Sequence, residues 1–275
     1  MLKQRIITAL ILAPIAIGGI FFLPPNGFAV FIGAILAIAA WEWGNLSGFE
    51  GQPMRVGYAL VIAALIAWVT WAPALAALWL AVVFWAMVLF LVKAYPTGTQ
   101  LWQAPMVRLA MGVPVLVGAY VGLHHLRTAD VVLGRLDSNL VLILYSFAIV
   151  WAADIGAYFS GRAWGKRKLA PQVSPGKSWA GVYGGLVSVL LLSLLVGWWI
   201  EVQARDLLVL VIVTQITAVV SVYGDLFESM LKRHRGIKDS SALLPGHGGV
   251  LDRVDSLTAA VPVFAFCASL AGWLH

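Results

Sequence analysis

The sequence predicts an all-α integral membrane protein of about nine transmembrane helices, its N-terminus cytoplasmic and its C-terminus on the outer side. Three observations carry this expectation. Of 275 residues, 61% are hydrophobic and 11% charged, less than half the roughly 25% charge of a globular domain. Apolar runs of membrane-spanning length recur along the whole chain. The 18 Lys and Arg residues fall in or between those runs with a one-sided bias that nine spans produce and a count without the fifth does not. A disordered chain, a disulfide scaffold and a soluble nucleic-acid-binding domain are excluded on the same grounds. Cys267 is the single cysteine and no Cys/His zinc pattern occurs. Loops obeying the positive-inside rule explain the formal charge of +6 better than nucleic acid does.

A span needs ~20 mostly apolar residues. The first covers 6–23. Its MLKQR start resembles a secretory leader, but the apolar run exceeds the usual ~7–15 residues and no A-x-A site precedes Pro24-Pro25. An uncleaved span is therefore expected. The second, 28–46, carries Trp41-Glu42-Trp43 near its end, the tryptophans being expected as interfacial anchors. The third and fourth, 56–71 and 74–92, are divided by Ala72-Pro73. One helix over that stretch would run roughly 55 Å at ~1.5 Å per residue, too long for a ~30 Å hydrocarbon core. The fifth, 106–123, is short and contains Arg108 and Pro114. The remaining spans are 140–159, 179–200, 207–226 and 256–274.

Charge tests the count. With nine spans, the side of the N-terminus, beginning with Lys3 and Arg5, collects 15 of the 18 basic residues. Only Arg127, Arg135 and Arg205 fall on the other side. Deleting the fifth span gives 8 against 10, which is no bias. Eight of the 12 acids, with Glu42 and Asp154 taken at their span ends, fall on the basic side too.

Two polar loops share that side. Residues 161–178, GRAWGKRKLAPQVSPGKS, hold five basic residues and no acid. Such a loop either rests on anionic headgroups or cradles a phosphate with backbone N–H groups and Lys, and the loop alone does not decide. It is not a Walker A loop. The second loop follows the eighth span and carries Gly-His-Gly-Gly, with His247 as a phosphate ligand or a turn residue. Asp225 and Glu228 are spaced i, i+3, and a helix continuing out of the eighth span puts both on one side. Asp252 and Asp255 repeat that spacing at the mouth of the ninth. Four carboxylates at neighbouring helix ends suit Mg²⁺, a hard ion usually held by one or two carboxylates plus substrate phosphates. A lattice of surface ion pairs would explain them less well, since each pair is worth only ~0–1 kcal/mol and acids inside span ends are costly.

No GxSxG elbow and no HExxH helix is present. His124, His125 and His275 fall on the far side, and Cys267 lies deep in the ninth span. Carboxylates for a metal, with many cations for negative oxygens, point to phosphoryl or nucleotidyl transfer, in which positioning and charge neutralisation dominate.

The residues reach a family at Ser229-Met-Leu-Lys232-Arg233, then Lys238-Asp239, then Leu244-Pro-Gly-His247-Gly248-Gly249-Val-Leu-Asp252-Arg253-Val-Asp255. This run resembles the signature of the phosphatidate cytidylyltransferases (CDP-diacylglycerol synthases). The likeness extends to Gly224-Asp225-Leu226, to Asp154-Ile-Gly-Ala-Tyr158 with Gly161-Arg162, to Leu169-Ala-Pro171, and to Trp41-Glu42-Trp43. One stretch departs. Where the family commonly reads S-P-K-K-T-x-E-G, this chain has Ser174-Pro-Gly176-Lys177-Ser178-Trp-Ala180-Gly, lacking one lysine and the glutamate.

The resemblance implies CTP and phosphatidic acid giving CDP-diacylglycerol and pyrophosphate in phospholipid biosynthesis. It implies that Asp225 and Asp252 hold Mg²⁺, with Asp255 and Glu228 completing or orienting the shell and a second cation left open. Lys232, Arg233, Lys238 and Arg253 would offset phosphate charge. Asp154 and Tyr158 would line the cleft, with Ser174, Lys177, Ser178, His247, Gly248 and Gly249 toward the nucleotide. On this reading 1–138 supply five N-terminal spans, and 139–275 form a catalytic region with cytoplasmic loops 161–178 and 228–255. The setting would be the bacterial inner membrane, with membrane lipids around the chain, no nucleic acid, and a homodimer as the family's assembly. Two rival readings are a lipid kinase or cytidylyltransferase acting on another lipid phosphate, and a cation-coupled transporter, which needs its carboxylates near mid-membrane rather than crowded at one face.

Overall fold

The computed structural model describes residues 2–136 and 138–275. The side chains of Lys3 and Arg5, counted in the charge tally, lie outside what it describes. Among the described residues nine α-helices follow the nine apolar runs: α1 Leu2–Phe21, α2 Pro25–Leu46, α3 Gln52–Val69, α4 Ala74–Ala94, α5 Pro105–Thr128, α6 Asn139–Trp164, α7 Trp179–Trp199, α8 Ala204–Arg235 and α9 Leu251–Leu270. Among the described residues eight are long and apolar enough to cross a membrane, and α1 contributes a shorter apolar stretch, Leu10–Phe21. The break at Ala72-Pro73 is real, and Pro114 is accommodated inside α5.

The ends of the bundle follow from a few contacts. At one end, Thr8 Oγ1 of α1 donates to Pro245 O (2.9 Å), and Asn45 Nδ2 of α2 donates to Ser240 O (2.9 Å). At the other, Arg127 of α5 donates to Leu23 O, and Asp130 and His275 exchange backbone hydrogen bonds. The first helix therefore begins beside the signature loop, and the chain finishes at the opposite end. Both polar loops occupy the first of these ends.

Small residues set the closest helix crossing. A β-carbon at Gly156 of α6 would lie 2.5 Å from Gly184 O of α7, and one at Gly184 would lie 2.0 Å from Ser160 Oγ. Apolar side chains gain little by leaving lipid, so close backbone approach is how such helices associate. The α6–α7 pair fixes what connects it.

That connection corrects the reading of 161–178 as a loop, while the fold class stays all-α. Residues 161–164 complete α6, while β1 Lys168–Ala170 and β2 Ser174–Ser178 form an antiparallel hairpin pairing Lys168 with Ser178 and Ala170 with Ser174. A 3-10 turn, Thr97–Leu101, precedes α5. A second correction concerns Trp43, which is a core residue and not an interfacial anchor. It is 1% exposed, packs on Phe227 at 6.1 Å between ring centroids, and donates Nε1 to Arg108 O at 2.8 Å. Trp85 and Phe84 complete this aromatic floor under the polar end.

Candidate functional site

Gly224 decides where the two carboxylate pairs meet. A β-carbon there would lie 2.8 Å from Asp255 O and 3.3 Å from Ser256 Cα, so only glycine lets α8 cross the first turn of α9 this closely. α8 runs 32 residues, well past the apolar stretch. It carries Asp225, Glu228 and Lys232 one turn apart toward Asp252 and Asp255.

Two lysines are threaded among the four acids. Lys232 Nζ lies 2.6 Å from Asp252 Oδ1 and 3.3 Å from Glu228 Oε1, almost wholly buried. Lys177 Nζ, delivered by β2, lies 2.6 Å from Asp225 Oδ2, and Ser229 Oγ donates to Asp225 Oδ1 (3.2 Å). Asp255 Oδ1 accepts from Ser256 N at 2.7 Å. Both oxygens of Glu228 are buried; its partners are Lys232 and the carboxyl of Asp255, with which it shares a hydrogen bond, so two acids of the quartet are held against each other.

Asp252 is differently placed from its neighbours. Its Oδ2 accepts from Ser240 N (2.8 Å), Ser240 Oγ (2.8 Å) and Gly249 N (2.7 Å). One oxygen thus ties down the loop between α8 and α9, leaving Oδ1, shared with Lys232, toward the cluster. The same loop is held from behind by Glu42 of α2, which is fully buried. Glu42 Oε1 accepts from Ser241 Oγ (2.6 Å) and Val250 N (2.9 Å); Oε2 accepts from Leu251 N (2.6 Å) and Ser240 Oγ (3.3 Å). Glu42, Ser240 and Ser241 had no place in the sequence-based site. An acid inside an apolar span was the available signal, and its partners lie about two hundred residues away in sequence.

The glycines of the signature have a packing duty first. A β-carbon at Gly249 would meet Ser240 Oγ at 2.0 Å and Glu42 Oε1 at 2.5 Å. Gly248 has φ +83°, a left-handed turn closed by Leu244 N donating to Gly248 O at 2.8 Å. His247 sits in that turn with Nδ1 buried and lacking a hydrogen-bond partner among the described residues. Lys238 is exposed, and Arg233 reaches the hairpin, Nε to Val173 O at 3.4 Å. Ser178 caps α7 by accepting from Gly181 N at 3.2 Å, and Ser174 opens β2, half-buried.

Two cavities flank the hairpin and share Leu169. One, about 490 Å³, is lined by Lys93, Tyr95, Trp179, Tyr223 and Leu226 among others. The second, about 400 Å³, brings together Asp154, Tyr158, Arg162, Lys177, Ser178 and Gly176. The predicted cleft residues Asp154 and Tyr158 are thus in one place with Lys177, and through it with Asp225. None of the carboxylates Asp225, Glu228, Asp252 and Asp255 lines either cavity. Arg253 faces a third, apolar cavity on the other side of α9.

Comparison with known proteins bears on what this arrangement does. Residues 3–271 match the sequence profile of the "Cytidylyltransferase family". The chain is similar to a protein of Pseudomonas aeruginosa named phosphatidate cytidylyltransferase, 51% identical over 99% of both chains. It is similar to proteins of the same name from Haemophilus influenzae, 40% identical over 97% of this chain and 98% of that one, and from Bacillus subtilis, 32% identical over 98% of each.

Proposed function

The chain belongs to the cytidylyltransferase family, and from that premise we propose that it transfers the cytidylyl group of CTP to phosphatidate, yielding CDP-diacylglycerol and pyrophosphate. It is a multi-pass membrane protein; we place it in the bacterial inner membrane with both polar loops toward the cytosol, where CTP is found. The observation that carries the reading is the juncture at Gly224, where Asp225 and Glu228 meet Asp252 and Asp255 beside a Lys-bearing hairpin.

A lipid phosphate oxygen attacks the α-phosphorus of CTP in line, and the α–β bridging P–O bond breaks as pyrophosphate leaves. No covalent enzyme intermediate is required, and the chain's contribution is placement and charge. Lys177 is the cation best placed to follow a phosphate, because β2 carries it between the Asp154 cavity and Asp225. Lys238, Arg233 and Arg253 add positive charge at the rim, while Lys232 balances Asp252 and Glu228 from within.

The donor set fits Mg²⁺. All its members are carboxylates, and Glu228 has both oxygens buried beside Asp255 and Lys232. Among the described residues no three acidic or imidazole groups converge on one ion position, so the rest of the shell would come from water and substrate phosphates. Asp225 and Asp252 would hold the ion, Asp252 through Oδ1 alone, with Asp255 and Glu228 orienting the shell. When bound, the ion would neutralise charge building on the transferred phosphate and the leaving pyrophosphate.

The test is purified protein in lipid micelles with phosphatidate, Mg²⁺ and CTP labelled at the α- or the γ-phosphate. Label entering the lipid from α-labelled CTP only is expected. Transfer from the γ position would instead make the chain a lipid kinase. Unchanged turnover in both Asp225→Ala and Asp255→Ala would remove the cluster from the reaction.

A further inference from the structure

The third cavity lies apart from the carboxylates yet shares a helix turn with them. It is a groove of about 400 Å³ between α1, α2, α5, α6 and α9, lined by Ile17, Phe28, Ile32, Leu123, Phe147 and Leu257 among others. Among the described residues, Arg253 is the one charged residue along it. Arg253 is exposed, and its guanidinium has no hydrogen bond or ion pair among the described residues. It stands next to Asp252 and two residues before Asp255 in the first turn of α9.

The groove has a sequence origin. α1 is fixed near both ends, by the Thr8–Pro245 hydrogen bond and by Gly19, where a β-carbon would lie 2.2 Å from the Phe31 ring. Between these points it presents Ala13 and Ala16, whose short side chains leave space against α9. Along α9 the lining runs from Arg253 to Val261, a drop of ~12 Å at ~1.5 Å per residue.

We propose that this groove seats one acyl chain of an anionic diacyl lipid, with the lipid's phosphate on Arg253, and that it sets the chain-length preference of the enzyme. The proposal rests on the phosphatidate reading above and names where that substrate lies. Charge complementarity commits it to this occupant. In a bilayer, lipid tails are as apolar as the lining, so the groove by itself has no preference for a bound chain over bulk lipid. A free guanidinium at the rim does discriminate, because it pairs bidentately with a phosphate monoester and not with a zwitterionic headgroup's shielded one. At roughly 30 Å³ for each water-sized group, the space holds about a dozen methylenes, hence one chain and not two. Arg253 thus joins the groove to the helix turn that carries Asp252, from the other side of α9.

Two measurements on the full-length protein test this. First, a phosphatidate bearing a diazirine in one acyl chain is photolysed in phosphatidylcholine vesicles containing the protein. Labelling of α1 and α9 peptides is expected, competed by unlabelled phosphatidate, and reduced at least fivefold in Arg253→Ala. Second, Ala16→Trp fills the groove from an exposed position on α1. It should lower kcat/KM for dipalmitoyl-phosphatidate at least tenfold, leave that for dihexanoyl-phosphatidate within twofold, and leave the KM for CTP unchanged. Equal loss on both lipids would overturn the proposal. So would labelling that phosphatidylcholine competes equally and Arg253→Ala leaves alone, which means bulk lipid, or α1–α1 crosslinks, which mean a second copy. Competed, Arg253-dependent labelling by a protein that makes no CDP-diacylglycerol would keep the groove and overturn the catalytic reading instead.

Discussion

Replacing Glu42 with alanine should disorder the signature loop without touching any group assigned to substrate. The side chain is fully buried in α2 and accepts four hydrogen bonds, two from the backbone N–H groups of Val250 and Leu251 at the start of α9. Those two amides belong to the unpaired donors of a helix N-terminus, and the carboxylate also answers the positive end of the helix dipole. In Glu42→Ala the Ser240 and Ser241 hydroxyls are free to turn elsewhere, Ser240 already having Asp252. The two amides have no such freedom. An unsatisfied buried donor costs about 1–3 kcal/mol, so the closed loop should lose roughly 2–6 kcal/mol. At about 1.4 kcal/mol per tenfold, amide exchange across 239–251 should quicken by roughly thirtyfold to twenty-thousandfold, while α6 and α7 keep their protection. Asp252 loses its fixed position with the loop, so turnover should fall further than the affinity for CTP. Glu42→Gln keeps one acceptor oxygen and should fall between. Wild-type exchange over 239–251 in Glu42→Ala, together with wild-type turnover, would refute the anchoring role outright.

Other substitutions separate packing from chemistry. Gly249→Ala forces a methyl into Ser240 Oγ and Glu42 Oε1, at 2.0 and 2.5 Å. It should lower the thermal midpoint in detergent and abolish turnover together. Gly176→Lys is the opposite case, because a β-carbon there meets nothing within 4 Å. The protein should fold with stability within about 0.5 kcal/mol of wild type and show a lower KM for CTP, the added cation joining the cavity that holds Lys177. Lys177→Met breaks an ion pair whose side chains are 25% and 32% exposed. The stability change should stay at or below about 1 kcal/mol, while turnover falls at least a hundredfold if Lys177 follows the phosphate. Chelation of divalent ions should stop product formation and leave the thermal midpoint near its starting value, since lysines already pair with Asp225 and Asp252.

The fold was legible in the sequence because a bilayer leaves the backbone few choices: every apolar run of sufficient length must satisfy its own N–H and C=O groups as a helix. Hence the breaks at Pro24-Pro25 and Ala72-Pro73 could be read directly, and the observed helix starts lie within five residues of the apolar runs. Where water reaches the backbone, that constraint ends. The 161–178 segment has glycine, proline and lysine, which read as a loop, yet it pairs as a hairpin because Ala170 and Ser174 close a short turn against α8. The carboxylate quartet was legible for a local reason, since i, i+3 spacing places each pair on one helix face. What joins the pairs is not local. Gly224 permits α8 to approach α9, and Glu42, from a span that spacing assigns only to the membrane, fixes the loop between them. The scarcity of charge in the chain is therefore uneven in a second way. Beyond being gathered at one end of the bundle, the charges there divide into groups that lock one another, Asp252 with Lys232 and Asp225 with Lys177, and groups left without partners among the described residues, Lys238 and Arg253. On the function proposed above, a triphosphate and a lipid phosphate would be the ligands that second set meets.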